Sequence, residues 1–156
     1  MSKRTSYRTT TLLVVVMLLL AQTAPAIAAP PPGKGKPPAQ AKWTLMVYIV
    51  GDNNLDEYVP LDIETELAPA GSNEDVAVVA LADRADTAEW TQTLLFYVTQ
   101  GMEATPENAV QDWGEANMGD PQTLSDFVAW GKASFPARRT AVIIWNHGDG
   151  WRRARF

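Results

Sequence analysis

The fold is decided by residues 43–54, which read WTLMVYIVGDNN. The first eight residues are apolar or β-branched and do not alternate with polar ones, which is typical of a parallel strand buried on both faces. Gly51, Asp52 and Asn53 then end the strand in a turn. We therefore predict a strand over residues 43–50 whose carboxyl end carries a group of polar side chains.

The following segments complete a strand-helix-strand unit. Four apolar residues recur at every fourth position: Leu55, Val59, Ile63 and Leu67. This spacing predicts a helix over residues 54–68 with Asn54 as its N-cap and irregular first turns at Pro60. Residues 75–82 form a second continuous apolar run and are predicted to be a strand. A strand, a helix and a strand in this order indicate a parallel βαβ unit.

Three more elements follow. Residues 90–99 are predicted to form a strand, which the sequence does not assign as parallel or antiparallel. We place it at an edge of the sheet because a polar stretch with Gly and Pro follows it. Asp120 and Pro121 open a helix that ends near Phe135. Its predicted apolar face consists of Leu124, Phe127, Val128 and Gly131. Residues 140–145 predict a last buried strand, so the fold class is α/β: an open, mostly parallel sheet with flanking helices.

The segment before the sheet has a different composition. Residues 1–28 hold a basic start, an apolar run from Leu12 to Leu20 and the small residues Ala26 and Ala28, which together indicate a secretory signal peptide. The apolar run is too short for a membrane anchor, so none is expected after signal removal. Residues 29–42 are rich in Pro, Gly and Lys and predict a linker. The chain is thus expected to be secreted or periplasmic, with its domain at residues 43–156.

Composition excludes several classes of function. The formal net charge is −5 and no basic stripe is present, so binding of nucleic acid is not expected. The sequence has no cysteine, which excludes disulfides, thiolate zinc sites and a cysteine nucleophile from this chain itself.

Polar residues follow each of three predicted strands. Because the carboxyl ends of parallel strands meet at one edge of a sheet, these residues are expected to converge there. The groups are 52–54 (Asp-Asn-Asn), 83–84 (Asp-Arg) and 146–150 (Asn-His-Gly-Asp-Gly). His147 is the sole histidine and the strongest candidate for chemistry. The first group also suits a turn and a helix cap, and the second suits a local ion pair.

A histidine in this position could serve three reaction types. The sequence lacks a Gly-x-Ser-x-Gly elbow for serine hydrolysis. A metal-dependent hydrolase could use His147 with Asp149, but catalytic zinc typically has further nitrogen ligands and no second histidine exists. A cysteine hydrolase would use His147 as general base and the Gly148 amide as an oxyanion donor, with its thiol supplied from elsewhere.

Several ordered motifs between Trp43 and Trp151 resemble the clostripain-like cysteine peptidases, whose fold is similar to that of caspases and legumains. They are residues 43–48, 52–55, 83–84, 117–121 with Leu124 and Phe127, 144–148, and 150–151. The resemblance implies that His147 is one half of a Cys/His catalytic dyad and that Gly148 contributes to the oxyanion hole. It also implies a caspase-like fold, incomplete here.

The resemblance implies more about partners and substrates. The family's cysteine lies on the strand after the histidine, so this chain is expected to be an inactive His-bearing portion, either a truncated product or one of two chains cut near Arg152, Arg153 and Arg155. The expected substrate is a peptide or protein cleaved after a basic residue. Asp52, Asn53, Asp83 and Arg84 are the candidate substrate-binding residues. No cofactor is required, and calcium is compatible with the acidic loops although no EF-hand spacing is present.

A competing prediction is an exported binding module without catalysis. In that case Trp90, Trp113, Trp130 and Trp151 would contact a carbohydrate or protein, although Trp130 suits packing on a helix face. Trp43 and Trp145 are predicted to lie in the core.

Overall fold

The computed structural model describes residues 40–86 and 88–148. Within this part of the chain, five strands form one sheet in the order β4-β3-β2-β1-β5. The strands are β1 (Ala41–Gly51), β2 (Val76–Arg84), β3 (Leu94–Tyr97), β4 (Gln111–Asp112) and β5 (Ala137–Trp145). The helices are α1 (Tyr58–Asp62), which continues as one π-helical stretch over Ile63–Leu67, a 3-10 turn (Pro106–Asn108) and α2 (Pro121–Ser134).

The central strand is β1, as its continuous apolar run requires. It pairs in parallel with β2 on one side and with β5 on the other. Met46, Val47, Tyr48 and Ile49 are all buried. The parallel βαβ unit predicted from the sequence is therefore present, and the open α/β sheet is confirmed. β1 begins at Ala41, which is 2% exposed, so the last two residues of the predicted linker belong to the sheet.

Helices cover both faces of the sheet. Val59 and Ile63 of the α1 segment are fully buried against one face, together with Ile49 and Ala80. Phe127 and Trp130 of α2 are buried against the other face. The N-cap of α2 is as predicted: Pro121 is the first helical residue, and the Asp120 carboxylate accepts a hydrogen bond from the backbone N–H of Gln122 at 2.8 Å.

The predicted start of the first helix is wrong. The helix begins at Tyr58 and not at Asn54, because residues 54–57 form successive turns. Pro60 falls in its first turn, where a missing N–H removes no helical hydrogen bond. The last part of the segment widens, with the Ala68 N–H bonded to the Ile63 carbonyl, five residues back.

Three further predictions about the sheet are corrected. The strand predicted at residues 90–99 is limited to Leu94–Tyr97, runs antiparallel to β2 and is covered at the edge by the two-residue β4. The predicted last strand is not buried: β5 is the other edge, and Val142, Ile143 and Ile144 are 42%, 46% and 63% exposed. Trp43 is also exposed, at 40%, with Arg139 stacked on its ring.

Among the described residues, no helix combines the length and apolar character that a membrane crossing needs.

The end of β1 depends on the absence of a side chain at Gly51. A Cβ atom there would meet the Val59 side chain and would lie 2.5 Å from the carbonyl oxygen of Asp83. We expect Gly51→Ala to lower the free energy of unfolding by roughly 1–3 kcal/mol, because a backbone carbonyl cannot move aside as a flexible side chain does. Urea unfolding checks this, with Lys132→Ala on the exposed face of α2 as control. A free energy of unfolding equal to that of the parent chain would contradict the prediction, because it would show that β1 and β2 make room for the added Cβ atom without loss of stability.

Candidate active site

The candidate site lies at the edge of the sheet where the strand order reverses, between β1 and β5. From β1 the chain moves to β2 on one side, and it later returns to place β5 on the other side. Open α/β sheets bind ligands beyond the carboxyl ends of the strands at such a point, and the space beyond the ends of β1 and β5 is called the crevice below. The loop after β1 and the segment after β5 meet there.

His147 is exposed and lies at this crevice. Its ring Nε2 lies 2.9 Å from the side-chain Oδ1 of Asn54, on the loop after β1. Its backbone N–H donates to the Oδ1 of Asn146 at 2.6 Å. The imidazole thus faces the rim of the sheet and not the core, which is the position that a general base needs to reach a substrate or a second catalytic group.

Gly148 follows the histidine with a φ of +62°. This is the left-handed region, which glycine adopts without the steric cost that a Cβ would bring. The chain can therefore turn sharply after His147. Asp149, Gly150 and Trp151, together with the arginines at 152, 153 and 155, lie outside the described residues, as do the predicted signal peptide and most of the linker.

Asn53 is used by the turn itself. Its Nδ2 donates to the Val50 carbonyl at 2.9 Å, and its Oδ1 accepts from the Leu55 N–H at 2.8 Å. Both polar ends of the side chain are therefore occupied by the backbone on either side of it. Through these contacts, Asn53 shapes the loop that carries Asn54.

The side chains of Asp83 and Arg84, both within the described residues, form no ion pair with each other, so the local ion pair that the sequence suggests is absent. Arg84 makes a two-point ion pair with Asp56, with its Nε at 2.9 Å and its Nη2 at 2.8 Å from the two carboxylate oxygens. The Asp56 carboxylate also accepts a hydrogen bond from the Ala85 N–H. The hydrogen bonds from the Arg84 side chain are the main reason that the pKa of Asp56 is lower than its ordinary value. Arg84 in turn lies over the Trp90 ring, 5.0 Å from its centroid. The guanidinium therefore braces the loop after β1 against the end of β2.

An acidic cavity of about 420 Å³ opens beside the β1 loop. Its lining includes the carboxylates of Asp52, Asp83 and Glu115, each of which has an oxygen within 4.8 Å of an oxygen of the other two. Asp83 is buried and its Oδ1 accepts from the Thr93 hydroxyl at 2.8 Å. Burial raises the pKa of Asp83 to about 6, and the negative charges of Glu115 and Asp52 act in the same direction.

These three carboxylates are the group among residues 40–86 and 88–148 that could hold a metal ion. Hard oxygen ligands suit calcium, which takes six to eight of them. His147 is not one of the group, so its ring and the carboxylates form separate parts of the same sheet edge.

The tryptophans available to a binding module are mostly taken up by packing. Trp90 is 5% exposed and packs on Phe96, and Trp130 is 2% exposed against Phe135, as predicted for a helix face. Trp113 is half-buried, with its ring N–H bonded to Gln111. Trp145 is half-buried as well and donates to Asp62 at 2.8 Å. The described tryptophans that were candidates for contacting a ligand, Trp90, Trp113 and Trp130, are therefore buried or half-buried.

A protein-family model described as the Clostripain family, Peptidase C11, matches residues 47–155. The chain belongs to the clostripain family. The match includes the second half of β1, His147 and the loops between them, so the crevice described above lies within the part of the chain that the family model covers.

Comparison with individual relatives agrees. The chain is 29% identical over 127 residues to the clostripain of Hathewaya histolytica, a match that covers 71% of this chain and 24% of that protein. The chain thus spans about a quarter of this curated clostripain's length.

Solved clostripain-family structures share the fold. A B. fragilis cysteine protease superposes with a TM-score of 0.58 at 17% identity, over 72% of this chain and 94% of that chain. A Bacteroides thetaiotaomicron clostripain in complex with a peptide inhibitor gives 0.55 at 14% identity, over 73% and 97%. A secreted C11 cysteine protease from the same organism gives 0.55 at 20% identity, over 74% and 32%. These likenesses confirm the open-sheet fold predicted from the sequence.

Three contacts of the site are not predicted by the sequence. Asn54 belongs to the polar group expected at this edge, but its pattern is that of a helix cap and does not indicate the contact with His147. No pattern singles out Asp56, which holds Arg84 in an ion pair. Glu115 lies in a loop without apolar periodicity, and nothing in the sequence places it beside Asp83. The motif at 52–55 was a usable signal for Asn54, because polar residues that follow a buried parallel strand point to the ligand-binding edge.

The raised pKa of Asp83 predicts a stability that depends on pH. The folded state holds the Asp83 proton more tightly than the unfolded state does, so the contribution of this group to stability falls as the pH rises from about 4 past 6. A shift of this size corresponds to roughly 3 kcal/mol. Asp83→Asn keeps an acceptor for Thr93 without the charge and is expected to remove this loss. Urea unfolding of both chains at pH 4 and pH 7.5 measures the difference, and equal pH dependence in the two chains would contradict it.

Proposed function

We propose that this chain is the histidine-bearing part of a secreted cysteine endopeptidase that hydrolyses peptide bonds after basic residues. The observation that carries the proposal is the exposed imidazole of His147 at the switch point of a clostripain-family sheet. The sequence holds no cysteine, so the nucleophile comes from a further segment or a second chain, and this chain alone is inactive. The Cys/His chemistry itself needs no cofactor.

The mechanism assigns His147 both proton transfers. The neutral imidazole takes the proton of the cysteine thiol, and the thiolate attacks the carbonyl carbon of the scissile bond. The resulting imidazolium gives its proton to the leaving amine as the C–N bond breaks. Water, deprotonated by the same imidazole, then hydrolyses the thioester and regenerates the thiol. The Gly148 N–H is proposed as one donor to the oxyanion.

The outer edge of β5 supports a further segment at this place. Consecutive residues of a strand point to opposite faces, so the exposure of Val142, Ile143 and Ile144 leaves both faces of β5 uncovered. Within the described residues β5 pairs with β1 alone, so its outer edge offers backbone groups to a further strand. A cysteine-bearing strand paired with β5 would cover this apolar surface and would place its thiol on the same sheet edge as His147.

A two-chain enzyme is consistent with the solved relatives. The match covers 94% and 97% of two of their chains, which are therefore hardly longer than the matched part of this one. Cleavage after Arg152, Arg153 or Arg155 would separate the histidine-bearing part from the cysteine-bearing part. An enzyme that cuts after basic residues could carry out this processing itself.

Export is proposed from the first 28 residues, which have the basic, apolar and small-residue regions of a signal peptide. A solved family member from Bacteroides thetaiotaomicron is described as secreted. The expected compartment is extracellular or periplasmic.

The acidic cavity supports a preference for basic residues. Asp52 and Glu115 are exposed carboxylates at its mouth, and Asp83 lies deeper. A lysine or arginine side chain entering the cavity would be attracted by these charges. The peptide inhibitor of the B. thetaiotaomicron clostripain is written BTN-VLTK-AOMK, with lysine next to the final group. We propose that Asp52 and Asp83 contribute to this subsite, with Asn53 and Arg84 shaping the loop and strand end around it.

Reconstitution tests the proposal. The chain is co-expressed with the cysteine-bearing part of a clostripain-family relative, or with the sequence encoded after Phe156, and is assayed with a fluorogenic peptide ending in lysine. We expect cleavage that neither part shows alone. His147→Ala should lower kcat/KM by 10³-fold or more, because both proton transfers are lost.

Lys132→Ala, on the exposed face of α2, is the matched control and should leave cleavage unchanged. Circular dichroism confirms that each variant is folded. Cleavage that survives His147→Ala would overturn the proposed catalytic role of His147. The two-part enzyme would be overturned if neither the coding sequence after Phe156 nor a neighbouring reading frame encodes an alanine-cysteine pair after an apolar strand.

The substrate preference has its own test. In the reconstituted enzyme, Asp52→Asn is expected to reduce kcat/KM about tenfold for lysine or arginine substrates and to leave a norleucine substrate unaffected, since only the charge attraction is removed. Glu57→Gln changes an exposed acid outside the cavity and serves as control.

An equal loss for basic and neutral substrates would contradict the subsite. The same assay is run with EDTA and with added calcium. If Asp52→Asn alters the calcium requirement and not the basic preference, calcium occupies the cavity in place of the substrate side chain.

A further inference from the structure

The hydrogen bond between Asn54 and His147 determines which ring nitrogen can act as a base. Oδ1 of an asparagine is an acceptor only, so the Nε2 that lies 2.9 Å from it must carry a hydrogen and donate it. In a neutral imidazole the other nitrogen then has the free lone pair. We infer that Asn54 is a positioning residue that selects the Nε2–H tautomer of His147 and so makes Nδ1 the catalytic base. This inference rests on the proposed function.

The acceptor is held in place by a braced loop. Asn53 binds the chain on both sides of itself, through the Val50 carbonyl and the Leu55 N–H. Asp56 is fixed by its two-point ion pair with Arg84, which is itself 7% exposed. Asn54 lies between these two anchors. Its amide is therefore presented from a part of the loop whose neighbours on each side are tied to β1 and β2.

The histidine is held from its own side as well. Asn146 accepts the His147 backbone N–H at 2.6 Å, which limits the backbone position at the end of β5. With the ring bonded through Nε2, rotation of the imidazole about its side-chain axis breaks a hydrogen bond. The two asparagines thus fix the backbone and the ring of the same residue, and Nδ1 is the nitrogen left free of them.

A neutral amide suits this task. A carboxylate at the same place would add a negative charge beside the imidazolium and would change its electrostatics as well as its orientation. An amide fixes the tautomer and the ring plane with a small electrostatic effect. The expected benefit is in orientation, where misplacement of a catalytic group by about 1 Å costs up to 10²-fold in rate.

The tautomer can be measured without a cysteine partner. His147 is the sole histidine, so ¹⁵N-labelled imidazole signals in the chain at pH 8 belong to it alone. We expect the parent chain to show Nε2 as the protonated nitrogen. Asn54→Leu, similar in size but without an acceptor, should give a mixture of the two tautomers. Asn54→Asp keeps the acceptor and should restore the Nε2–H form.

Activity in the reconstituted enzyme gives the second readout. Asn54→Leu is expected to lower kcat by about 10- to 100-fold with KM unchanged, because the base is misoriented while substrate contacts remain. Asn54→Asp should recover kcat to within a few-fold of the parent. Asn108→Leu, at an exposed asparagine of the 3-10 turn, is the matched control and should change neither the tautomer nor kcat.

The outcomes separate the inference from the proposed function. A protonated Nδ1 in the parent chain would overturn the inference whether or not the enzyme cleaves peptides. An unchanged tautomer in Asn54→Leu, or a change in KM with kcat intact, would also overturn it. Failure of every reconstitution with a confirmed Nε2–H tautomer would refute the peptidase and leave the asparagine–histidine pairing as a structural contact.

Discussion

The parallel pairing of β1 with a strand on each side is the constraint on which the site depends. Because β2 and β5 both run in the direction of β1, three carboxyl ends lie at one edge of the sheet. The chain reaches β2 first and β5 last, so residues almost a hundred positions apart, Asn54 and His147, become hydrogen-bonding neighbours. α1 and α2 cover opposite faces, which is the arrangement that opens a crevice at such a switch point.

Much of this architecture could be predicted from short-range patterns. The run at residues 43–50 indicates a buried parallel strand, and Asp120 with Pro121 marks the start of α2, because burial and capping act over a few residues. The start of α1 could not be placed in the same way. Asn54 has the side chain of a helix cap, but Asn53 captures the Leu55 N–H and extends the turn to residue 57. Two neighbouring residues with the same chemistry compete, and the sequence pattern does not rank them.

Long-range partners were the harder part of the site. The sequence indicates His147 because it is the sole histidine and follows an apolar strand. Its hydrogen-bond partner Asn54 is not indicated in the same way. The contacts of Glu115 with Asp83 and of Arg84 with Asp56 are not indicated either, because the loops involved come together only in the folded chain. β5 shows the opposite difficulty. Its composition is that of a buried strand, yet its residues are exposed in the described structure. Composition indicates that a strand's side chains favour burial, but it does not indicate which segment covers them.

That mismatch at β5 links assembly to chemistry under the proposed function. The apolar side chains of the strand favour association with a segment that covers them, and the same segment would bring the thiol to His147. Binding energy gained at Val142 and Ile144 would then set how much of the enzyme is assembled, while Asn54 and His147 set how fast the assembled enzyme turns over. Weakening the β5 surface should therefore act through the concentration of active complex, and changes at the asparagine–histidine pair should act on kcat. The apolar surface of β5 and the asparagine–histidine pair thus contribute separately, although His147 comes shortly after β5 in the chain.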